Sequence, residues 1–115
     1  MSGILYHVLR PVSYGFVRPV TYSLKLRSGV KNIVIEFRWD GGGSIRLELV
    51  SPTKTYTEDE MKITDKTHIH ADGMVVCNYL RRYELTIPEL SREETWTIRL
   101  SLENIYKYQL DVEAS

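Results

Sequence analysis

The sequence predicts an all-β protein, an antiparallel two-sheet β-sandwich of about eight or nine strands with little or no helix. Three observations predict it. Apolar and polar side chains alternate with a period of two residues in several segments. Turn-forming residues recur about every ten positions, the spacing typical of sandwiches. Apolar residues do not recur over any long segment at the spacing of a helix face.

Alternation is clearest in residues 33–39, where every second side chain is apolar. Successive side chains of a strand point to opposite faces of the sheet, so this segment is predicted as a half-buried strand. The same pattern predicts further strands in 21–27, 45–50, 82–87, 95–102 and 105–113. Short strands are also expected in the less regular segments 4–9, 54–57, 63–69 and 74–77, and the connection 88–94 has room for one helical turn.

Length and charge narrow the class of protein. A chain of 115 residues predicts one domain, residues 1–115. Hydrophobic residues make up 43% and charged residues 26%, as in ordinary soluble domains. Fifteen basic side chains balance fifteen acidic ones, so net charge gives no case for a nucleic acid or an anionic membrane as partner. A protein partner, or a second copy of the chain, is the expectation that remains.

Cysteine content and the N-terminal segment bear on the compartment. Cys77 is the single cysteine, so no intramolecular disulfide can form, which favours a reducing, cytoplasmic location. Arg10 and Pro11 interrupt the N-terminal segment before a signal-peptide core can form, although removal of an earlier leader stays open. A single glutamine and three asparagines are a composition typical of hyperthermophile proteins.

A glycine-rich loop, 40–44, separates two predicted strands and suggests a hairpin. If Asp40 faced Ser44, like charges would lie opposite each other across the pair, which is destabilising. Pairing Trp39 with Gly43 instead places Glu36 opposite Arg46. We therefore predict the second register if the strands pair at all, and a crossing between two sheets is the alternative.

Six segments follow one another in a recognisable order: 22–26, 33–39 with the glycine-rich loop, 45–49, 51–52, 95–100 and 108–112. This order resembles the bacterial pre-peptidase C-terminal domain and, more loosely, the P-domain of proprotein convertases. The resemblance implies a jelly-roll-like sandwich that accompanies secreted enzymes as a non-catalytic stabilising or binding module, sometimes with calcium. Ser44 and Arg46 stand where acidic residues are usual, and Glu94 stands where glycine is usual. Since Ca²⁺ requires several oxygen ligands, we predict no cofactor.

The sequence offers one candidate metal site. His68 and His70 are two residues apart, hence on one face of a strand, with Asp72 beyond them. A third imidazole, thiolate or carboxylate ligand would have to arrive through folding, and solvated histidines are the alternative interpretation. A small metal-dependent hydrolase around His68 and His70 is therefore the weakest functional hypothesis. The chain contains none of the common nucleophile, phosphate-binding or dinucleotide motifs, so we predict no enzymatic activity.

Two kinds of binding site remain. The first is self-association through residues 4–17, which are apolar on both faces; the candidate interaction residues are Leu5, Leu9, Tyr14, Phe16 and Val17. The alternative is that this segment only completes the core. The second is a carbohydrate- or ligand-binding surface that uses Asp40, Tyr56 and Tyr79. The other aromatic residues on regular strand faces are predicted to be core: Tyr22, Trp39, Tyr83, Trp96, Tyr106 and Tyr108.

Overall fold

The computed structural model describes residues 4–11, 17–40, 43–71, 75–105 and 107–115. Side chains are described for 19–39, 43–66, 79–105 and 108–115. The described part contains nine strands: β1 (Ile4–Pro11), β2 (Val17–Leu26), β3 (Asn32–Asp40), β4 (Ser44–Val50), β5 (Thr55–Tyr56), β6 (Lys62–Ala71), β7 (Val75–Thr86), β8 (Glu94–Glu103) and β9 (Lys107–Ala114). Its helical element is a three-residue 3₁₀ turn, Glu58–Glu60, so the described residues include no helix that could cross a membrane.

The strands form two antiparallel sheets, which confirms the predicted sandwich. The five-stranded sheet has the order β1-β9-β3-β7-β6, and the four-stranded sheet has the order β2-β8-β4-β5. Consecutive strands therefore cross between the sheets at every connection except β4–β5 and β6–β7, which pair directly as neighbours. The sheets differ in width, which leaves one side of the sandwich incompletely covered.

The core lies between the inner faces of the two sheets and is built by the predicted alternation. The apolar positions of β3, Ile33, Ile35, Phe37 and Trp39, are all buried. The structure also confirms the other aromatic residues predicted as core, Tyr22, Tyr83, Trp96 and Tyr108, whereas Tyr106 lies outside the described residues. Among the described residues the core contains no charged side chain. Each fully buried apolar side chain contributes about 1.5–3 kcal/mol, so this face holds the fold together.

The predicted hairpin at the glycine-rich loop is wrong. β3 and β4 lie in different sheets, so the loop crosses from one sheet to the other. Gly43 passes so close to the β8–β9 corner that a Cβ atom there would lie 2.0 Å from the Glu103 carbonyl oxygen. Glu36 bonds to Arg82 of β7 at 3.2 Å rather than to Arg46. Charge complementarity alone does not determine which strand supplies the partner residue, because Arg46 and Arg82 both carry the charge that Glu36 requires.

Other local predictions have mixed outcomes. Gly29 has a φ of +89° and forms the predicted turn after β2. β4 ends at Val50, before the Ser51-Pro52 pair, as expected. The segment 88–93 contains no helical turn. β7 is continuous, although the sequence suggested two separate pieces, because Arg81 occupies an inward position that the alternation rule reserves for apolar residues.

Candidate functional site

The sheet edges are the first candidate site. β1 pairs with β9 on one side and ends the five-stranded sheet, so its other backbone edge is free of strand partners among the described residues. Tyr6 and Val8 are in register with the buried Val112 and Leu110 of β9. Leu9 is in register with Gln109 on the opposite, outer face of the sheet. The register therefore gives β1 apolar residues on both faces, as the sequence predicted.

The predicted interaction segment is divided by the fold. Leu5 and Leu9 belong to β1 at the edge of one sheet, whereas Val17 begins β2 at the edge of the other. Tyr14 and Phe16 lie outside the described residues. The five residues are thus not one strand, and the part that the structure can place as an edge with apolar positions on both faces is β1.

The edge strands differ in how they discourage pairing with another chain. Charged side chains and proline protect edges, because they do not fit into a growing sheet. β6 carries Lys62, Asp65 and Lys66. β2 carries Arg18, Pro19 and Lys25. β1 has no Asp, Glu, Lys, Arg or Pro from Ile4 to Leu9, so it is the long edge with the least protection at its first residues.

The uncovered side of the sandwich is a second candidate site, which the sequence did not reveal. β5 has two residues and pairs with β4 only at Leu49 and Val50. Residues 44–48 of β4 pair with β8 on one side and, within the described part of the chain, with no strand on the other. A groove of about 310 Å³ lies here, lined by Arg46, Leu47, Glu48, Thr57, Glu58 and Asp59.

A polar cluster on the inner face of β7 faces this uncovered side. Arg81 Nε donates to Asp65 Oδ1 at 2.6 Å, and Arg81 Nη1 lies 3.8 Å from Glu58 Oε2. The Arg81 guanidinium also lies 5.9 Å from the centroid of the Trp39 ring. The hydrogen bond to Asp65 raises the pKa of Arg81, so the guanidinium stays charged at any physiological pH. The Arg81 cluster and the Trp39 ring therefore cover the core where the smaller sheet ends.

Tyr83 anchors the 3₁₀ turn to the five-stranded sheet. Its side chain is buried, and its hydroxyl donates to Glu58 Oε2 at 2.8 Å. Burial raises the pKa of the Tyr83 hydroxyl, and the hydrogen bond to Glu58 raises it further. The phenol therefore stays protonated in the folded protein at pH values where it would ionise in the unfolded chain.

This pKa shift predicts a pH effect. Since the folded pKa lies above the unfolded value, the folded state binds more protons above about pH 10, and the free energy of unfolding should fall there as pH rises. Tyr83→Phe removes this contribution and one hydrogen bond worth about 1 kcal/mol. Urea unfolding measures the free energy of unfolding of both proteins between neutral pH and pH 11. Above about pH 10 this free energy should fall less steeply with pH for Y83F than for the parent protein. Equal slopes would contradict the assignment.

The predicted ligand residues are placed apart from one another. Tyr79 of β7 stacks on Trp39 with ring centroids 5.2 Å apart, while Tyr56 of β5 stacks on Trp96 at 5.5 Å. Both tyrosines are half-buried against the core rather than freely exposed. Asp40 ends β3 in register with Asn78, and its side chain lies outside the described set. The two tyrosines belong to different sheets and do not form a common aromatic platform.

The predicted metal site falls mostly outside the described side chains. His68 and His70 are in register with Asn78 and Val76 of β7. Asp72 lies outside the described residues, and the side chains of 67–78 are not described. Within the described part of the chain no group of three metal-ligating side chains occurs. The metal site stays a prediction.

Comparison with known proteins gives a fold likeness but no family. No family model matches the chain, and no curated protein matches it. Among solved structures, the CspB protease of Clostridium perfringens is similar over 94% of this chain and 25% of its own, with a TM-score of 0.53 and 15% identity. At that identity the likeness shows the β-sandwich fold alone. The chain spans about a quarter of that protease.

A second solved structure is much more distant. It is the CBM3a-L domain of scaffoldin cipA from the Clostridium thermocellum cellulosome, with a TM-score of 0.35 and 6% identity over 85% of this chain and 66% of that one. The similarity is too low to support an argument about fold or ligand. The likeness to the protease therefore agrees with the β-sandwich fold, and the comparisons assign no activity to the chain.

Proposed function

We propose that this domain is a non-catalytic β-sandwich module that works by protein–protein contact, and that its partner is a second copy of the same chain. The observation that carries the proposal is the free edge of β1, which is apolar on both faces and carries no charge or proline from Ile4 to Leu9. Two such edges can pair antiparallel about a two-fold axis, since each supplies the same residues to the other.

The backbone and the side chains both favour this contact. Unpaired N–H and C=O groups on an edge strand readily hydrogen-bond to another strand. Leu9 is in register with Gln109 on the outer face, where a side chain of the partner strand would lie next to it. Tyr6 and Val8 are in register with core residues, so a paired copy would also extend the core at its margin. Self-association thus gives both faces of β1 apolar neighbours.

The likeness to part of a protease supports the accessory role implied by the pre-peptidase C-terminal resemblance. The match covers a quarter of that larger chain, the relation expected when a sandwich module accompanies other parts of an enzyme. In that arrangement the module would stabilise or position its neighbours and perform no chemistry itself. The accessory role is part of the proposal and is compatible with self-association.

Leu9→Glu tests the proposal at the β1 edge. It places a charge on the outer face of β1, inside the apolar edge that the two copies would share, so the dimer should dissociate to a monomer of unchanged fold. Sedimentation velocity measures the mass, and circular dichroism checks the fold. Removing residues 1–18 is less informative, because β1 pairs with β9 along its length and its loss would expose a new edge.

Thr21→Glu is the matched control. Thr21 is an exposed position on β2, the edge strand of the other sheet, so it receives the same charge without touching the proposed interface. The T21E variant should remain dimeric. If L9E is as dimeric as the parent protein, or if T21E dissociates equally, the β1 contact is wrong.

A further inference from the structure

His68 and His70 belong to β6, the strand that ends the five-stranded sheet on the side opposite β1. β6 pairs with β7 without a break from Lys62 to Ala71, so both histidines lie within a regular strand rather than in a turn. Residues two positions apart on a strand share one face of the sheet, with Cα atoms about 6–7 Å apart. The backbone therefore places the two histidines side by side.

The face that the two histidines share is the outer face of the sheet. Asp65 of β6 is in register with Arg81, which occupies an inward position of β7. Because successive residues of a strand alternate between the faces, Lys66, His68 and His70 lie on the opposite side from Asp65. Lys66 is exposed, as this placement requires. A metal ion can thus approach the pair from solvent without entering the core.

The fold keeps the other candidate ligands away from this pair. Cys77 is in register with Ile69, the residue between the two histidines, so it lies on the inner face. Asp65 also lies on the inner face, where it accepts a hydrogen bond from Arg81 Nε at 2.6 Å. His7 belongs to β1, at the opposite edge of the same sheet. None of these three candidates closes the site within one chain.

We infer that His68 and His70 form an open surface site for one divalent transition-metal ion. Two imidazoles bind the ion, at about 2.0–2.1 Å in the case of Zn²⁺, and water fills the remaining positions. Imidazole suits Cu²⁺, Ni²⁺ and Zn²⁺, with Cu²⁺ bound most tightly of the three, whereas Mg²⁺ and Ca²⁺ require several oxygen ligands. With two protein ligands the ion is exchangeable, and the fold does not depend on it.

Calorimetric titration of the intact chain with Cu²⁺, Zn²⁺ and Mg²⁺ tests the site. One Cu²⁺ should bind per chain, Zn²⁺ should bind more weakly, and Mg²⁺ should not bind. His68→Ala and His70→Ala should each weaken Cu²⁺ binding about tenfold or more, because a single imidazole cannot chelate the ion. Paramagnetic broadening of NMR signals by Cu²⁺ should be centred on residues 66–70. Circular dichroism checks that both variants fold.

The chain offers matched controls and a test for gained affinity. His7→Ala removes an imidazole from the opposite edge of the same sheet and should leave Cu²⁺ affinity unchanged. Cys77→Ser should also leave it unchanged, since Cys77 lies on the other face. Lys66→Glu replaces a repelling charge on the shared face with a carboxylate ligand, so it should tighten Cu²⁺ binding about tenfold.

Several results would overturn the inference. These are absence of saturable Cu²⁺ binding up to millimolar metal, equal weakening by H7A and H68A, and loss of affinity in C77S. A stoichiometry of one ion per two chains would show that the ion links two copies instead. Unfolding of the protein by a chelator would show a structural metal, against the exchangeable site inferred from the strand pairing.

The metal site and the β1 contact are independent. β1 and β6 lie at opposite edges of the five-stranded sheet. The L9E variant should therefore bind Cu²⁺ as tightly as the parent protein does, whether or not the parent protein is a dimer. Weaker Cu²⁺ binding by L9E would contradict a site that one chain completes alone.

Discussion

Replacing Phe37 with alanine should destabilise the protein by about 3–5 kcal/mol, the usual loss when a large buried aromatic side chain is truncated. Phe37 is fully buried in β3, the central strand of the five-stranded sheet. Its ring stacks on Tyr108 with centroids 5.1 Å apart. The ring of Trp39 is tilted against it, with the two centroids 5.6 Å apart. Truncation removes both aromatic contacts and leaves a cavity that the surrounding strands cannot close.

Urea unfolding measures the loss, and Val34→Ala provides the control. Val34 is the half-buried residue of the same strand on the outer face, so its truncation should cost about 1 kcal/mol or less. Because domains of this size are stable by only about 5–15 kcal/mol, F37A should lower the unfolding midpoint strongly. Similar losses for F37A and V34A would contradict the assignment of the two faces.

Gly43→Ala should also destabilise the protein strongly, by about 3 kcal/mol or more. A Cβ atom at Gly43 would lie 2.0 Å from the Glu103 carbonyl oxygen and 2.5 Å from two backbone atoms of Asn104. These neighbours are backbone atoms of the β8–β9 corner, so they cannot rotate away as a side chain would. The β3–β4 crossing would have to move, and the corner with it.

Gly29→Ala is the informative comparison, since it isolates the conformational requirement from the steric one. Gly29 has a φ of +89°, but a Cβ there would meet no atom within 4 Å. Alanine should therefore cost only about 1–2 kcal/mol from backbone strain. Thermal and urea unfolding of both variants tests the pair. If G43A is no less stable than G29A, the close approach of the two crossings is wrong.

The sequence was sufficient to predict the fold class and the core. Ile33, Ile35, Phe37 and Trp39 alternate with polar residues, and the structure buries all four because one face of each sheet packs on the other. This inference needs only the period of the pattern. It does not depend on which strands are neighbours. The buried face of β3 was therefore predicted correctly although the β3–β4 pairing was not.

Strand neighbours were harder to predict, because cross-strand charge pairs do not identify their strands. Glu36 could pair with any basic residue at a matching level, and it pairs with Arg82 of β7 rather than with Arg46. A glycine-rich loop is equally compatible with a tight hairpin and with a crossing that passes close to another backbone. The contact of Gly43 with the β8–β9 corner is a tertiary fact with no local signal.

The sequence predicted one of the two candidate sites but not the other. The apolar character of residues 4–17 predicted an interaction segment, and the part of it that forms β1, Ile4–Pro11, lies at the edge of its sheet. The groove beside Arg46–Glu48 depends on β5 ending after two residues, and the polar cluster near it depends on Arg81 facing inward. Neither feature follows from the period of the sequence, because Arg81 occupies a position where alternation predicts an apolar residue.

The solution mass of the intact chain tests the proposed function most directly. Light scattering across a concentration series should give about twice the 13.4 kDa of one chain, with a transition to the single-chain mass on dilution. The L9E variant should remain at the single-chain mass at concentrations where the parent protein is dimeric. An intact protein that stays monomeric at high concentration would contradict self-association through β1.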